Sequence, residues 1–381
     1  MTKHLMHLTH VEDLIIEHGP SGINLASDVL WSVQEYHERL GDRYADADEY
    51  FDAFHLSQKF DGAPSIVFGK CPATGQYFVG TKSVFNKVPK INYSPDDIYR
   101  NHGHSEGLAE YLIQAFDHLW KICPESGFYQ GDIMYTNDVE VDGDFIHFTP
   151  NTITYSAHRS HPEYELISDA FIGIAIHTQY NCEHPHNGDM RNFVAKPLTD
   201  KLPTHVDVHQ FDVSVKRADN FNIVVFMRLM DRLKDMRHET THVTDDWLKS
   251  NREYLTRYIN SCVREVKLPE YYDYLWWVNE KLNEKLISYT RQDCKAGVQT
   301  EIDKFNKQNN ENDFNCIMAM HSRVQAIKGY LLQLMAKNQN FKHSVNGAPV
   351  KPEGYVVHAP WGSVKLVDRR EFSKLNFDKN G

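Results

Sequence analysis

Apolar residues change their spacing three times along the chain. Over 4–39 they recur at helical intervals: Leu14, Ile15 and Ile16 come first, Gly19-Pro20-Ser21-Gly22 breaks the run, and Leu30, Trp31, Val33 and Tyr36 follow behind Asn24 as a cap. Between Leu56 and about Tyr180 they gather into short runs that predict strands. Ile66-Val67-Phe68 and Tyr77-Phe78-Val79 flank the turn-rich Cys71-Pro72-Ala73-Thr74-Gly75 and predict a hairpin. A helix is predicted over 107–123 from Leu108, Tyr111, Leu112, Ala115, Phe116 and Leu119. Strands follow over 128–135, 144–148 and 171–177, the last of them buried on both faces. From about Val213 the helical period returns, over 222–237, 244–264, 269–293 and 313–337, with Thr244 before Asp245-Asp246 as an N-cap. In the last of these, Ile317, Met320, Val324, Ile327, Leu331 and Leu334 make a core stripe. Strand texture closes the chain over 354–358 and 363–367.

The pattern predicts an α+β protein with mainly antiparallel sheets. A strand-rich domain takes 51–212 and 345–381, a helical segment takes 1–50, and a helical domain over 213–344 is inserted into the strand-rich part or packed on it. A length of 381 residues accommodates this division.

Charge narrows the choice of partners. The chain has 41 Lys and Arg against 52 Asp and Glu, a formal charge of −11, so a nucleic-acid partner needs a local basic face. Cys71, Cys123, Cys182, Cys262, Cys294 and Cys316 are scattered with no C-x-x-C pair, which fits a reducing compartment and argues against a disulfide framework. Neither an N-terminal apolar h-region nor an apolar run of roughly 18 residues occurs, so a cytoplasmic location with no membrane partner is expected. His4, His7 and His10 at three-residue spacing read as the polar flank of a helix, because no carboxylate or cysteine completes a metal set. Asp42, Asp46, Asp48, Glu49 and Asp52 read as a solvated acidic turn, since an EF-hand glycine and terminal glutamate are missing.

The candidate chemistry centres on Gln58-Lys59-Phe60-Asp61-Gly62. A lysine followed by an apolar residue, two residues before Asp-Gly, suits an amine nucleophile presented at a strand end with a tight turn behind it. Three further signals follow in order: Tyr129-Gln130-Gly131-Asp132, Glu353-Gly354-x-Val356, and Val364-Lys365-Leu366-Val367. Each is common alone. Together they resemble the covalent nucleotidyltransferase superfamily of polynucleotide ligases and RNA-capping enzymes, over about 56–180 and 350–372.

The resemblance implies a ligase-type nucleotidyltransferase domain using ATP and Mg²⁺ or Mn²⁺. Lys59 would carry the AMP, and Asp61 and Gly62 complete its motif. Lys82, in Thr81-Lys82-Ser83, would help bind phosphate. Asp132 stands where the family has a glutamate that contacts the ribose or a metal. Glu353 would hold the metal, Lys365 would contact the α-phosphate, and Gln58 would offer its amide to the adenine edge. Val367 replaces the usual second lysine, with Arg369 or Arg370 as substitutes. Nearby Lys82, Lys365 and the metal are expected to lower the Lys59 pKa.

The expected partners are RNA or DNA ends. No acidic residue stands between Asp313 and Glu353, whereas Arg323, Lys328, Lys337, Lys342 and Lys351 do, and these can track a phosphate backbone. Lys216, Arg217, Arg228, Arg232, Lys234 and Arg237 form a second basic cluster. Tyr271-Tyr272 and Trp276-Trp277 suit helix packing better than base stacking. Only 16 residues follow Lys365, too few for the OB-fold of DNA ligases and capping enzymes, so the likeness is strongest to bacteriophage-type RNA ligases. The alternatives are a DNA ligase, a capping or end-modifying nucleotidyltransferase that uses GTP, and a non-catalytic nucleic-acid-binding protein of the same fold.

Overall fold

The computed structural model describes residues 8–39, 53–181, 193–216, 222–239, 243, 245–336 and 340–371. The acidic stretch from Asp42 to Asp52, His4, His7, Cys182, Arg217, Thr244 and Lys337 therefore lie outside the described residues. The protein is mixed α and β with mostly antiparallel strands. The described residues divide into two compact units: those within 55–216 and 340–358 form the first, and those within 8–54, 222–336 and 359–371 the second. This partition departs from the expected one. Residues 8–39 share a unit with the helical block, 340–344 belong to the strand-rich unit, and 359–371 belong to the helix-rich one.

The strand-rich unit is built on a sheet ordered Val194–Pro197, Ile172–Asn181, Phe128–Tyr135, Ser65–Lys70, Tyr77–Gly80, antiparallel throughout. Val208–Gln210 adds a parallel pairing to Ile172–Asn181. Alternation decides what each face buries. Ile66 and Phe68 point into a core that the helix Glu106–His118 closes with Ala109, Leu112 and Ala115. Val67 points the other way, among Phe78, Phe85, Phe128 and Tyr180. Both faces are covered, which accounts for the run of apolar residues over 172–176. A second antiparallel sheet runs Ala348–Pro349, Lys342–Val345, Thr154–His158, Phe145–Phe148, Glu140–Asp142. His55–Lys59 pairs in antiparallel register with Gly354–Ala359.

Two helices of this unit are absent from the periodicity. Pro95–His102 is specified by its start instead: Ser94 Oγ accepts from the Asp97 N–H, proline opens the helix, and Asp96 and Asp97 fill its first turn. Pro162–Asp169 starts in the same way, with His161 as the cap.

In the helix-rich unit, Thr9–His10 is a short strand parallel to Gly362–Val367, so His10 lies on no helix flank. The predicted helix over 269–293 is two helices, Tyr271–Ser288 and Gln292–Gln308, because Tyr289 and Arg291 are extended. The second was hidden in a polar sequence and buries only Val298, Ile302 and Phe305. The core stripe of Glu311–Met335 is buried from Ile317 to Leu331.

That helix also carries charge inward. Lys328 Nζ donates to Glu12 Oε1 at 2.6 Å, and the two side chains are 2% and 0% exposed. Asp13 Oδ1 receives Arg369 Nη1 at 2.8 Å and faces His321 Nε2 at 3.2 Å, while Arg369 Nη2 donates to Asn260 at 2.7 Å. Burial pushes the Asp13 carboxyl up, but the hydrogen bonds and charges of His321 and Arg369 prevail and bring it down to about 2. Lys328 is thus corrected from phosphate-tracking surface to buried ion-pair partner. Arg369, the suggested substitute cation, has its guanidinium bonded to Asp13 and Asn260.

All five described cysteines are free, and no helix among the described residues is long and apolar enough to cross a membrane.

Breaking a buried pair from one side strands its charge. Lys328→Met is expected to cost about 3–5 kcal/mol in denaturant unfolding. The double variant Glu12→Leu/Lys328→Met should recover most of that loss.

Candidate functional site

The first unit brings three sequence-distant segments to one lysine. Lys59 ends the strand His55–Lys59, whose backbone is held on both sides. Gly354 stands opposite Lys59 in the antiparallel register on one side, and the Gln58 N–H donates to Val213 O at 2.7 Å on the other. This register places Glu353, one residue before Gly354, beside Lys59 although 294 residues separate them. Lys59 Nζ lies 2.7 Å from Glu353 Oε1 and 2.7 Å from Oε2. Gly354 has φ 146°, a backbone conformation that side chains other than glycine rarely adopt, so the Glu-Gly step is a backbone requirement.

The residues after Lys59 fix the loop. Phe60 is buried against Phe211 and Tyr155, at ring-centroid distances of 5.5 and 6.0 Å. Tyr155 stacks on Phe148 and packs edge-on against Phe341, which extends the aromatic core. The Asp61 N–H donates to Tyr155 Oη at 2.8 Å. The Asp61 carboxylate accepts from Asn151 Nδ2 at 2.9 Å, Thr152 N at 2.8 Å and Ile153 N at 2.9 Å. Asp61 is therefore a clamp on its own loop, its carboxylate engaged by three donors. A Cβ at Gly62 would fall 2.6 Å from Asp132 Cβ, so glycine is what lets the loop approach that strand.

Asp132 pairs in register with Ser65 on one side and Ala175 on the other. Gly131 is opposite Ile176 whereas Gln130 is opposite Thr178, leaving His177 as the extra residue of a β-bulge. Its Nε2 lies 3.7 Å from Asp132 Oδ1, and its Nδ1 is 2.8 Å from Thr178 Oγ1. On the paired strand, His358 Nε2 sits 3.3 Å from Ser57 Oγ.

The site is anionic around its one lysine. Burial pulls the Lys59 pKa down, but Glu353, Asp132 and Asp61 outweigh it and hold the amine above its usual 10.5. The expected lowering is corrected: the charges that act on the amine here are carboxylates, not lysines. Burial pushes the Glu353 carboxyl up to about 7, with Lys59 opposing and Asp61 and Asp132 assisting. Burial also raises Asp132, but the bond and charge of His177, followed by Lys59 and Ser65, take it below 3.8.

Among the described residues no three His, Cys, Asp or Glu side chains form a ready-made metal cluster. The donor chemistry nevertheless suits Mg²⁺, which needs one or two carboxylates and takes its other ligands from water and phosphate. Glu353 and Asp132, both beside Lys59 and in excess of its charge, are the residues that can hold it.

Gln58 faces Tyr355 in the strand pairing. Lys82 is exposed on the single turn Lys82–Phe85, capped by Thr81. Lys365 belongs to the helix-rich unit, in register with His10, whose imidazole is held below its usual range chiefly by burial, with Arg369, Lys328 and Lys365 adding to it against Glu12. Arg323 is half-buried on Glu311–Met335, and Lys342 lies over the Phe145 ring at 4.5 Å. In the helix-rich unit Tyr271 and Trp277 pack against Phe314 and Tyr258, while Tyr272 and Trp276 are 72% and 65% exposed. Sequence reasoning missed His177, Asn151 and Tyr155. Only the Gly131-Asp132 step hinted at the bulge.

Fold and site define a mixed α and β protein with a lysine held among carboxylates at a strand end. The chain belongs to a family described as a family of unknown function (DUF6267), whose model matches residues 6–380. No curated protein and no solved structure matches it.

Two outcomes follow for the support beneath the lysine. Asp61→Ala strands the buried Thr152 and Ile153 N–H groups and should cost about 2–4 kcal/mol in chemical denaturation. His343, buried against Tyr155 at 5.0 Å, is pushed by burial from 6.5 down to about 4. The unfolded chain takes up this proton first, so the contribution of His343 to stability should be flat above pH 6.5 and fall between 6.5 and 4, by up to about 3 kcal/mol. Thermal melts of wild type and His343→Leu across that window should show a shallower fall in the variant.

Proposed function

We propose that the strand-rich unit is the adenylation domain of an ATP-dependent polynucleotide ligase, acting on RNA ends through a lysyl-AMP intermediate. One observation carries this reading: Lys59, Asp132 and Glu353 converge from three distant segments, with Lys59 Nζ 2.7 Å from Glu353. The order and spacing of their motifs resemble those of covalent nucleotidyltransferases.

In this reading the free amine of Lys59 attacks the α-phosphorus of ATP. An N–P bond forms, the bond to the pyrophosphate oxygen breaks, and the ammonium proton leaves to the Glu353 side of the pocket. AMP then passes to a 5′-phosphate, and a 3′-hydroxyl displaces it. A divalent cation held by Glu353 and Asp132 would supply charge neutralisation for the phosphate oxygens. The Asp61 clamp keeps the main chain beneath Lys59 fixed, so that only its side chain need move. His177 orients Asp132 toward the nucleotide sugar.

A second reading is a non-catalytic nucleic-acid-binding protein of the same fold. The raised Lys59 pKa favours it, because an amine so stabilised as a cation is a poor nucleophile.

Incubation with α-labelled ATP and Mg²⁺, followed by denaturing electrophoresis, separates the two. Covalent label is expected on the wild type, with at least a hundredfold loss in Lys59→Ala. An unlabelled wild type, or label retained in Lys59→Ala, removes the ligase reading. Sealing of single-stranded RNA ends, set against nicked DNA and against labelling by GTP, then identifies the substrate.

A further inference from the structure

We propose that Lys59 and a divalent cation are alternative occupants of the same carboxylate, so that the lysine plugs the cation position of its own pocket until a cation displaces it. This rests on the reading of Glu353 and Asp132 as oxygen ligands.

The geometry of the pair is the first argument. Lys59 Nζ straddles Glu353, 2.7 Å from each oxygen, and so engages both at once. A cation bound to either oxygen would sit within about 5 Å of the ammonium, where like charges repel strongly in a partly dehydrated pocket. The second argument is which carboxylates are free to change partner. Asp61 cannot, because Asn151, Thr152 and Ile153 take its oxygens. Asp132 is steadied by His177. Glu353, bonded to the lysine alone among the contacts described, is the group whose partner can be exchanged.

Access and charge complete the case. The Lys59 side chain is 26% exposed and that of Glu353 14%, so water and small ions reach the pair and the lysine has space to swing away. When it does, it leaves behind two carboxylates, the protein share that Mg²⁺ commonly takes. One exchange then places the ion and releases the amine together. The lysine would thus guard a surplus of negative charge in the resting protein.

Mn²⁺ binding to the full-length chain at fixed pH, read by the paramagnetic resonance of the free ion, tests this without any turnover. Lys59→Met and Lys59→Gln are expected to bind Mn²⁺ at least about tenfold more tightly than the wild type, since the competing charge is gone. Adding Glu353→Gln to either should abolish that gain. Lys59 variants that bind no more tightly than the wild type, or a gain that survives Glu353→Gln, would overturn the proposal. If Lys59→Met fails to fold by circular dichroism, Lys59→Gln, which keeps a polar head group, decides alone. A chain that takes no AMP yet shows this order of affinities would overturn the ligase assignment and leave the exchange standing.

Discussion

The geometry of the strand-rich unit depends on one ion pair that the backbone, not chain proximity, creates. Lys59 meets Glu353 because Gly354 is opposite it in an antiparallel register. A shift of that register by one residue would turn Glu353 to the opposite face and leave the lysine among unmatched neighbours. Hydrogen bonding on both sides of His55–Lys59 protects against such a slip, and the aromatic core around Phe60 fixes where the strand ends. The pair is therefore a readout of correct folding as much as a contributor to it.

The helix-rich unit uses buried charge differently. Glu12, Asp13, His321, Lys328 and Arg369 form a set that ties the turn after the first strand to the long helix and to the residues after Gly362–Val367. Such sets contribute little net stability compared with apolar packing, but they punish mispairing heavily. They give segments from both ends of the chain a unique way to meet. The site in the other unit has the opposite balance, with more negative than positive charge around Lys59. Surplus charge of that kind costs stability and is retained where something must bind.

Much of the architecture was legible because both periods are strong. The hairpin Ser65–Lys70 with Tyr77–Gly80 and the doubly buried strand Ile172–Asn181 follow from runs of apolar residues. Gln292–Gln308 escaped notice because three buried positions in a polar stretch barely rise above the background. Within the site, Lys59, Asp132 and Glu353 stand in short motifs: Asp132 and Glu353 each adjoin a glycine, and Lys59 comes three residues before Gly62. His177 could not be read in this way, because a bulge exists only in the register between two strands. Lys328 and Arg369 were misjudged for a related reason: counting charges along the chain says nothing about partners more than 300 residues away.

The fixing of Phe60 and Asp61 bears on how this protein can vary. Lys59 is the last residue before a segment whose every handle is taken: a ring in the core, a carboxylate on three donors, a glycine against the next strand. Substitutions there alter folding before they alter chemistry. Sequence change is better tolerated one step outward, in the side chains that face Lys59 from the neighbouring strands. The peptide that bears the lysine acts as a hinge pin, and the walls around it are the parts free to be refitted.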